Sequence, residues 1–369
     1  MFRFNLHIAL IFLGFTLVEV FGPVYFYQMG IPLPYITLYW SVFFALRLIF
    51  RPVALWLSER FPIKLLFIGS VIGFAFRYLL YGMVTGPTFL LFVLLITESL
   101  TSAFYWLFYH VCFARLLDRM RVGRSVAWRD ASIAAVRMMA PLVTAGGIEL
   151  FGFGSTFLIA TLVTLLGVLP LLSLHFDQAE ERSFSSRGLF SGDLTGGWLY
   201  CFSSISTYGG DFLWRIALFL HIGNNYGFGG VVSLAIAFQV VGTFFVGHRF
   251  DVGKGVQHVR LGIVLLLLAV LGRGLLTLTV PMAVSLDFLI AVGTTFLGPY
   301  VNAMVYRRSK ESNNILNFQF VTESGWDVGG IISLLFATIL LGSGLPVQLC
   351  CLLGIPGYLG LWFMLSRVR

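Results

Sequence analysis

The chain alternates between long hydrophobic runs and short connections that contain polar, glycine or proline residues. Each run is close to the length of about 20 residues that a helix needs to cross the hydrocarbon core of a bilayer. The pattern therefore predicts an all-α polytopic membrane protein with twelve transmembrane helices. The predicted spans cover residues 5–29, 33–57, 63–84, 88–114, 131–153, 155–174, 195–221, 227–247, 258–280, 282–306, 314–341 and 345–366.

The composition excludes an ordinary water-soluble protein, because 58% of the residues are hydrophobic and only 11% are charged. The first run is too long for a cleaved signal core, so we interpret it as a retained span. The cysteines lie inside hydrophobic runs, without the spacing of a metal site or a disulfide framework. Motifs of an intramembrane enzyme, such as HExxH, are missing from the sequence. We therefore expect a protein that is not an enzyme and that uses no metal and no cofactor.

Among the connections between the predicted spans, only alternate ones contain lysine or arginine. The positive-inside rule then predicts that both termini and the middle loop lie in the cytoplasm. The net charge of +8 follows from this topology, and we expect no nucleic-acid partner. The connections without lysine or arginine are residues 30–32, 85–87, 152–154, 223–225, 280–281 and 342–344.

A polar linker at 175–193 divides the chain into two parts that look repeated. Glu19 precedes Glu59 by 40 residues, and Asp211 precedes Asp251 by the same 40. Parallel repeats of this kind are common in membrane transporters. The predicted domains are two six-helix bundles, at 1–174 and 194–369.

At the end of the eighth predicted span, residues 247–254 form the short motif Gly-His-Arg-Phe-Asp-Val-Gly-Lys. A degenerate copy of this motif lies at 55–64, where Leu55 and Pro62 replace the glycines. With twelve spans and a six-plus-six repeat, the chain resembles the major facilitator superfamily of secondary transporters. The resemblance implies a central cavity lined by spans one, four, seven and ten. It also implies that the loops steady the outward-facing state; the alternative is ordinary charge that sets topology. The loop residues concerned are Glu59, Arg60, Asp251 and Lys254.

Ionisable residues lie inside several predicted spans. Asp211 and Arg215 are four residues apart in span seven, and therefore share a helix face. Charged groups at membrane depth are costly and usually face a bundle interior or a water-filled cavity. Glu19, Glu98 and Asp287 occupy the other spans that the family resemblance places around the cavity. The alternative for each is an interhelical bond that only fastens two helices.

Two pairings are expected at the substrate site. We expect Glu98 to pair with Arg137, and Arg215 to pair with Asp211 or to reach Glu19. Arg77 and Arg273 lie on spans that support the cavity in the family, and we interpret them as structural. The candidate substrate-binding residues are Glu98, Arg137, Arg215, Tyr105, Tyr109 and Trp214.

An excess of acids over arginines at membrane depth favours coupling to protons, because an unpaired carboxyl group can take up and release one. Glu323 and Asp327 are four residues apart on span eleven, so we expect one of them to be protonated or to share a cation. The main candidates for proton-coupling residues are Glu19 and Asp211. Glu323 and Asp327 are further candidates. The acids counted are Glu19, Glu98, Asp211, Asp287, Glu323 and Asp327, against Arg47, Arg77, Arg137, Arg215 and Arg273.

These features predict a secondary active transporter that moves a small polar or amphipathic solute by alternating access, driven by the proton gradient. A lipid flippase of the same fold, and a membrane sensor or scaffold that transports nothing, are the alternatives. The expected partners are the solute and membrane lipid, and we expect a monomer. The short loops favour the cytoplasmic (inner) membrane of a prokaryote.

Overall fold

The protein was analysed as a computed structural model, which describes residues 2–117, 122–174, 193–247 and 255–367. Helices account for nearly all of this part of the chain, and it contains no strand. The helices are α1 (Phe2–Glu19), α2 (Gly22–Gln28), α3 (Leu33–Ser58), α4 (Ile63–Met83), α5 (Phe89–Leu116), α6 (Val122–Leu166), α7 (Val168–Leu172), α8 (Thr195–Ser206), a π-helical segment (Thr207–Phe212), α9 (Leu213–Ile222), α10 (Asn225–Gly247), α11 (Gly255–Leu275), α12 (Val280–Glu311), α13 (Ile315–Gly342), α14 (Val347–Cys350), a 3₁₀ turn (Cys351–Gly354) and α15 (Ile355–Arg367).

Helices long and apolar enough to cross a membrane number nine within the described residues. This finding confirms the all-α, membrane-spanning class. The count of twelve spans, the cytoplasmic termini and the domain boundaries stay predictions. The linker at 175–192 and the motif residues Asp251 and Lys254 lie outside the described residues.

The first predicted span is two stacked helices rather than one. Helix α1 ends at Glu19 and α2 begins at Gly22, with Pro23 in its first turn. Proline lacks an N–H and is tolerated at the start of a helix but not in its interior, so the chain breaks just before it. The break places the Glu19 carboxylate at the end of a helix, in the middle of the span.

The seventh predicted span is interrupted at the corresponding place. Between α8 and α9 the chain forms a π-helical segment that contains Gly209, Gly210 and Asp211. A Cβ atom on Gly209 would lie 2.7 Å from the carbonyl oxygen of Leu353, so only glycine permits this close approach to the 3₁₀ turn. Single π turns within α-helices occur frequently at functional sites.

Helix α6 contains 45 residues and covers most of two predicted spans. Gly152 interrupts it with φ 77° and ψ 170°, a conformation that glycine adopts without the steric penalty of a side chain. The sequence expectation of a short connection at 152–154 coincides with this break.

The same helix pairings occur in both parts of the molecule. Helix α1 packs against α6 and α4 against α5, while α8 packs against α13 and α11 against α12. The most extensive contacts between the parts are α3 on α13 and α6 on α10, and smaller ones join α6 to α12 and α5 to α13. We call residues 2–174 the first half and residues 193–367 the second half. The end of the bundle at which α1 begins, predicted to be cytoplasmic, is called the inner end.

Candidate functional site

A cavity of about 600 Å³ lies between the two halves. Its walls combine aromatic side chains with charged ones, and α1, α4, α5, α6, α9, α11 and α12 all contribute to it. Among the described residues that line it, acids and arginines are equal in number, so the expected excess of acids is wrong. The charged lining residues are Glu19, Glu98, Asp130, Asp211, Asp287, Glu323, Arg47, Arg77, Arg129, Arg137, Arg215 and Arg273.

In the first half, the partner of Glu98 is Arg77 rather than Arg137. The Arg77 guanidinium lies 3.2 Å from Glu98 Oε1, and the hydroxyl groups of Tyr39 and Tyr81 donate to Glu98 Oε2 at 3.0 and 3.1 Å. All four side chains are buried. The expected Glu98–Arg137 pair is therefore wrong, because Arg77 on the neighbouring helix α4 already occupies the carboxylate together with two phenols.

In the second half, the partner of Asp211 is Arg273 rather than Arg215. Arg273 donates to Asp211 Oδ1 and to Asp287 Oδ1, both at 2.6 Å, and the Trp214 indole N–H donates to Asp287 at 2.8 Å. Arg77 and Arg273, which we interpreted as structural, each hold carboxylates in buried ion pairs, and both also line the cavity. The expected Asp211–Arg215 pair is therefore wrong, because Arg273 on α11 already holds the Asp211 carboxylate.

Three charged residues face the cavity without a direct ionic bond between them or to another described residue: Glu19, Arg137 and Arg215. Each is only half-buried, because it borders the cavity. The Glu19 carboxylate lies in the electrostatic field of the Arg137, Arg215 and Arg77 guanidinium groups. The Nε atom of Arg137 is buried without a hydrogen-bond partner. A buried donor left unpaired is costly, so this corner of the cavity is chemically unsatisfied.

Glu323 and Asp327 do not repel each other as an isolated pair, because two arginines of α3 compensate them. Arg51 forms ion pairs with Asp327 and, at 3.0 Å, with Glu323, and Arg47 also bonds Asp327. All of these side chains are buried. The expectation of a protonated acid or a shared cation is therefore corrected: arginine supplies the positive charge, across the contact between the halves.

A histidine extends this network. His110 Nε2 on α5 lies 3.1 Å from Glu323 Oε1, and His110 Nδ1 contacts the Tyr306 hydroxyl on α12. Arg129 on α6 donates to Tyr306 at 2.8 Å. We call Arg47, Arg51, His110, Tyr306, Glu323 and Asp327 the inner cluster, since they join the two halves between the cavity and the inner end.

The aromatic residues that were predicted to contact the substrate do not all line the cavity. Tyr109 and Trp214 line the cavity, whereas Tyr105 does not. Tyr105 is fully buried behind the wall, where it packs on Phe67 and Phe74. The prediction of Tyr105 as a substrate contact is wrong because its ring points into the first-half core.

The loop residues Glu59 and Arg60 lie at the end of α3, away from the cavity. Glu59 caps the C-terminus of α3, and the Arg60 guanidinium stacks 3.8 Å above the Trp56 ring. Their role in steadying one state stays a prediction. Among the described residues, no group of three or more His, Cys, Asp or Glu side chains is arranged to hold a metal ion.

Sequence reasoning missed Arg51, His110 and Arg129 as parts of the site. One signal was present: Arg47 and Arg51 are four residues apart on one helix, as Glu323 and Asp327 are on another. Two such pairs of opposite sign present matching faces when their helices pack.

Comparison with known proteins gives a family and a fold. The sequence model of the Major Facilitator Superfamily matches residues 6–334. The crystal structure of the human organic anion transporter MFSD10 (TETRAN) is similar, with a TM-score of 0.70 and 15% identity over 98% of both chains. At this identity the likeness shows the fold alone. No curated protein sequence matches the chain.

Proposed function

The chain belongs to the major facilitator superfamily, and we propose that it is a proton-coupled transporter that carries a small organic solute through the cavity between its halves. The observation that carries this proposal is the group of Glu19, Arg137 and Arg215, which faces the cavity without direct bonds. A carboxyl group free of fixed partners can gain and lose a proton without breaking an ion pair. We therefore assign proton coupling to Glu19, and we give Asp211, Glu323 and Asp327 structural roles.

Alternating access is supported by contacts between the halves at both ends of the cavity. At the inner end, the inner cluster joins α3 and α5 to α12 and α13. Toward the outer end, Asn225 on α10 donates to Glu149 on α6 at 3.0 Å, and the Thr37 and Thr338 hydroxyls lie 2.9 Å apart. The ion pairs between described residues of the two halves lie at the inner end, so this conformation is held together more strongly there. Opening to the inner side requires the arginine–carboxylate bonds of the inner cluster to separate.

The remaining assignments follow from the sequence. We place twelve helical crossings in the cytoplasmic membrane of a prokaryote, with both termini and the linker at 175–193 on the cytoplasmic side. We also propose that the transporter works as a monomer.

The experiment is uptake into proteoliposomes that contain the purified protein and an entrapped pH-sensitive dye. Radiolabelled acids, amines and alcohols of similar size are offered, with and without an imposed proton gradient. We expect at least one solute to accumulate only with the gradient and to carry protons inward. Glu19→Gln should still equilibrate that solute but not concentrate it, since the amide cannot take up a proton.

The matched control is Glu311→Gln, because Glu311 is an exposed acid at the end of α12. It should accumulate the solute as the unsubstituted protein does. Accumulation that ignores the gradient, or that survives Glu19→Gln unchanged, would remove proton coupling at Glu19. The absence of flux for every solute offered would favour a protein that transports nothing.

A further inference from the structure

Arg137 on α6 and Arg215 on α9 differ from the other arginines of the cavity. Within the described residues, every other lining arginine forms an ion pair with a carboxylate: Arg47, Arg77, Arg129 and Arg273. Arg137 and Arg215 have no described carboxylate within bonding distance, and the Nε–H of Arg137, like those of Arg77 and Arg273, is buried without a partner. Guanidinium groups rarely stay unpaired when buried. The cavity therefore offers two positively charged donors that the protein itself does not satisfy.

We propose that the transported solute is an amphipathic organic carboxylate, whose carboxylate group is held by Arg137 and Arg215. This rests on the proposed function, because it names the class of solute that the same cavity carries. The two guanidinium groups lie in each other's electrostatic field, with Glu19 beside them. The planar fork of arginine donates two parallel hydrogen bonds to a carboxylate, which favours this group over a neutral one.

The rest of the cavity fits an apolar body attached to that carboxylate. Rings and aliphatic side chains from both halves form the walls around the charged corner: Trp40, Phe43, Trp106, Phe212, Val232 and Ile236. Sites for small organic molecules usually combine such apolar walls with a few fixed polar groups. A volume of about 600 Å³ is within the range of such sites.

Glu19 makes carboxylate binding depend on protons. Ionised Glu19 competes with the solute for the two arginines, and the three side chains together carry one positive charge. Protonation of Glu19 raises this charge to two and frees both guanidinium groups for the solute. Binding of a proton and binding of the carboxylate therefore promote each other, and by linkage the effect is reciprocal.

Other groups around Glu19 do not change the sign of this coupling. Arg77 and Glu98 are bonded to each other. The two neighbouring residues Tyr78 and Tyr208 are phenols, which ordinarily carry no charge near neutral pH. The titratable and charged groups that face Glu19 are Arg77, Tyr78, Glu98, Arg137, Tyr208 and Arg215.

Binding to the purified protein in detergent tests the solute class without requiring transport. Two matched sets are used: benzoate, benzamide and benzylamine, and octanoate, octanol and octylamine. We expect a carboxylate to bind and the amine and neutral members of its set not to displace it. Arg137→Gln and Arg215→Gln should each weaken binding by about ten- to a hundredfold, the loss expected for a hydrogen bond to a charged group.

Two further variants keep the test decisive. Arg137→Lys retains the charge but not the fork, so it should bind more weakly than the unsubstituted protein and more tightly than Arg137→Gln. Arg260→Gln is the matched control, because Arg260 is an exposed arginine of α11 that stacks on Trp362 outside the cavity. It should bind as the unsubstituted protein does. Equal binding of the amines, no binding of either carboxylate, or unchanged binding by Arg137→Gln and Arg215→Gln would overturn the inference.

The pH dependence separates this inference from the proposed function. Carboxylate binding should tighten as the pH falls, whereas Glu19→Gln should bind tightly at every pH. Carboxylate binding without flux in proteoliposomes would support the anion site and overturn the proposed transport. Gradient-driven flux of an amine or alcohol, without preference for carboxylates, would support transport and overturn the anion site.

Discussion

Each half of the molecule places an arginine of its third predicted span near two acids, but the two halves bond it differently. In the second half, Arg273 holds both Asp211 and Asp287 at 2.6 Å. In the first half, Arg77 holds Glu98, and Glu19 has no ionic bond to any residue that the structure describes. One half therefore fixes both of its acids, and the other leaves one acid facing the cavity.

The difference arises from the neighbours of the arginine. In the first half three tyrosines surround the pair: Tyr39 and Tyr81 donate to Glu98, and Tyr78 accepts a hydrogen bond from Arg77 at 3.0 Å. These phenols add hydrogen bonds to both members of the Arg77–Glu98 pair. The second half offers a single indole N–H, from Trp214. The two halves are similar in helix packing and differ in the neutral hydrogen-bonding residues around their arginine.

The largest expected effect comes from removing the two arginines in turn. Arg273→Gln leaves two carboxylates without their cation, and we expect it to lower the free energy of unfolding by about 3–5 kcal/mol, as for breaking a buried ion pair. Arg77→Gln leaves one carboxylate that keeps two tyrosine donors, so its loss should be smaller. Thermal and denaturant unfolding in one detergent measure both. Equal losses would show that the phenols do not support Glu98.

Substitutions of the acids Asp211 and Glu19 should change the free energy of unfolding by less than substitutions of the arginines, and by different amounts in the two halves. Asp211→Asn weakens the bond to Arg273, and we expect a loss of about 1–3 kcal/mol in the free energy of unfolding, the range for a hydrogen bond between charged groups. Glu19→Gln breaks no direct bond and should change it by less than about 0.5 kcal/mol. The same unfolding assay applies. A Glu19 variant as unstable as Asp211→Asn would mean that Glu19 is also held in a bond.

The smallest expected effect tests the tyrosines. Tyr39→Phe removes one donor to Glu98 and should cost about 1 kcal/mol in the free energy of unfolding, the usual contribution of one hydrogen bond. Tyr35→Phe is the control, since Tyr35 is 63% exposed on the same helix. The control should show no measurable loss. If the two substitutions are indistinguishable, the contrast between the halves does not originate in the phenols.

The membrane-spanning fold was predictable from the sequence because hydrophobic runs and basic connections report on the bilayer directly. The break after Glu19 and the π turn at Asp211 were visible only as Pro23 and the pair Gly209-Gly210. These residues mark a place where a helix can be interrupted, but not how it continues.

The ion pairs could not be predicted, because partner choice depends on how packed helices are rotated about their axes. Arg137 was expected to bind Glu98, and instead Arg77 does so from an adjacent helix. Spacing in the sequence shows which residues share a face of one helix. It does not show which face of another helix lies opposite, and a π turn also changes the spacing that defines a face.

The bonds around Glu98 have a mechanical consequence for α1. They join α3, α4 and α5 into a braced frame, while Arg273 braces the π segment, α11 and α12 of the other half. Among the described residues, no ion pair attaches α1 to either frame. Helix α1 is held instead by packing on α6 and by hydrogen bonds to the backbone carbonyl groups of Gly167 and Ser173, so a shear displacement of α1 would leave the ion pairs of both frames intact.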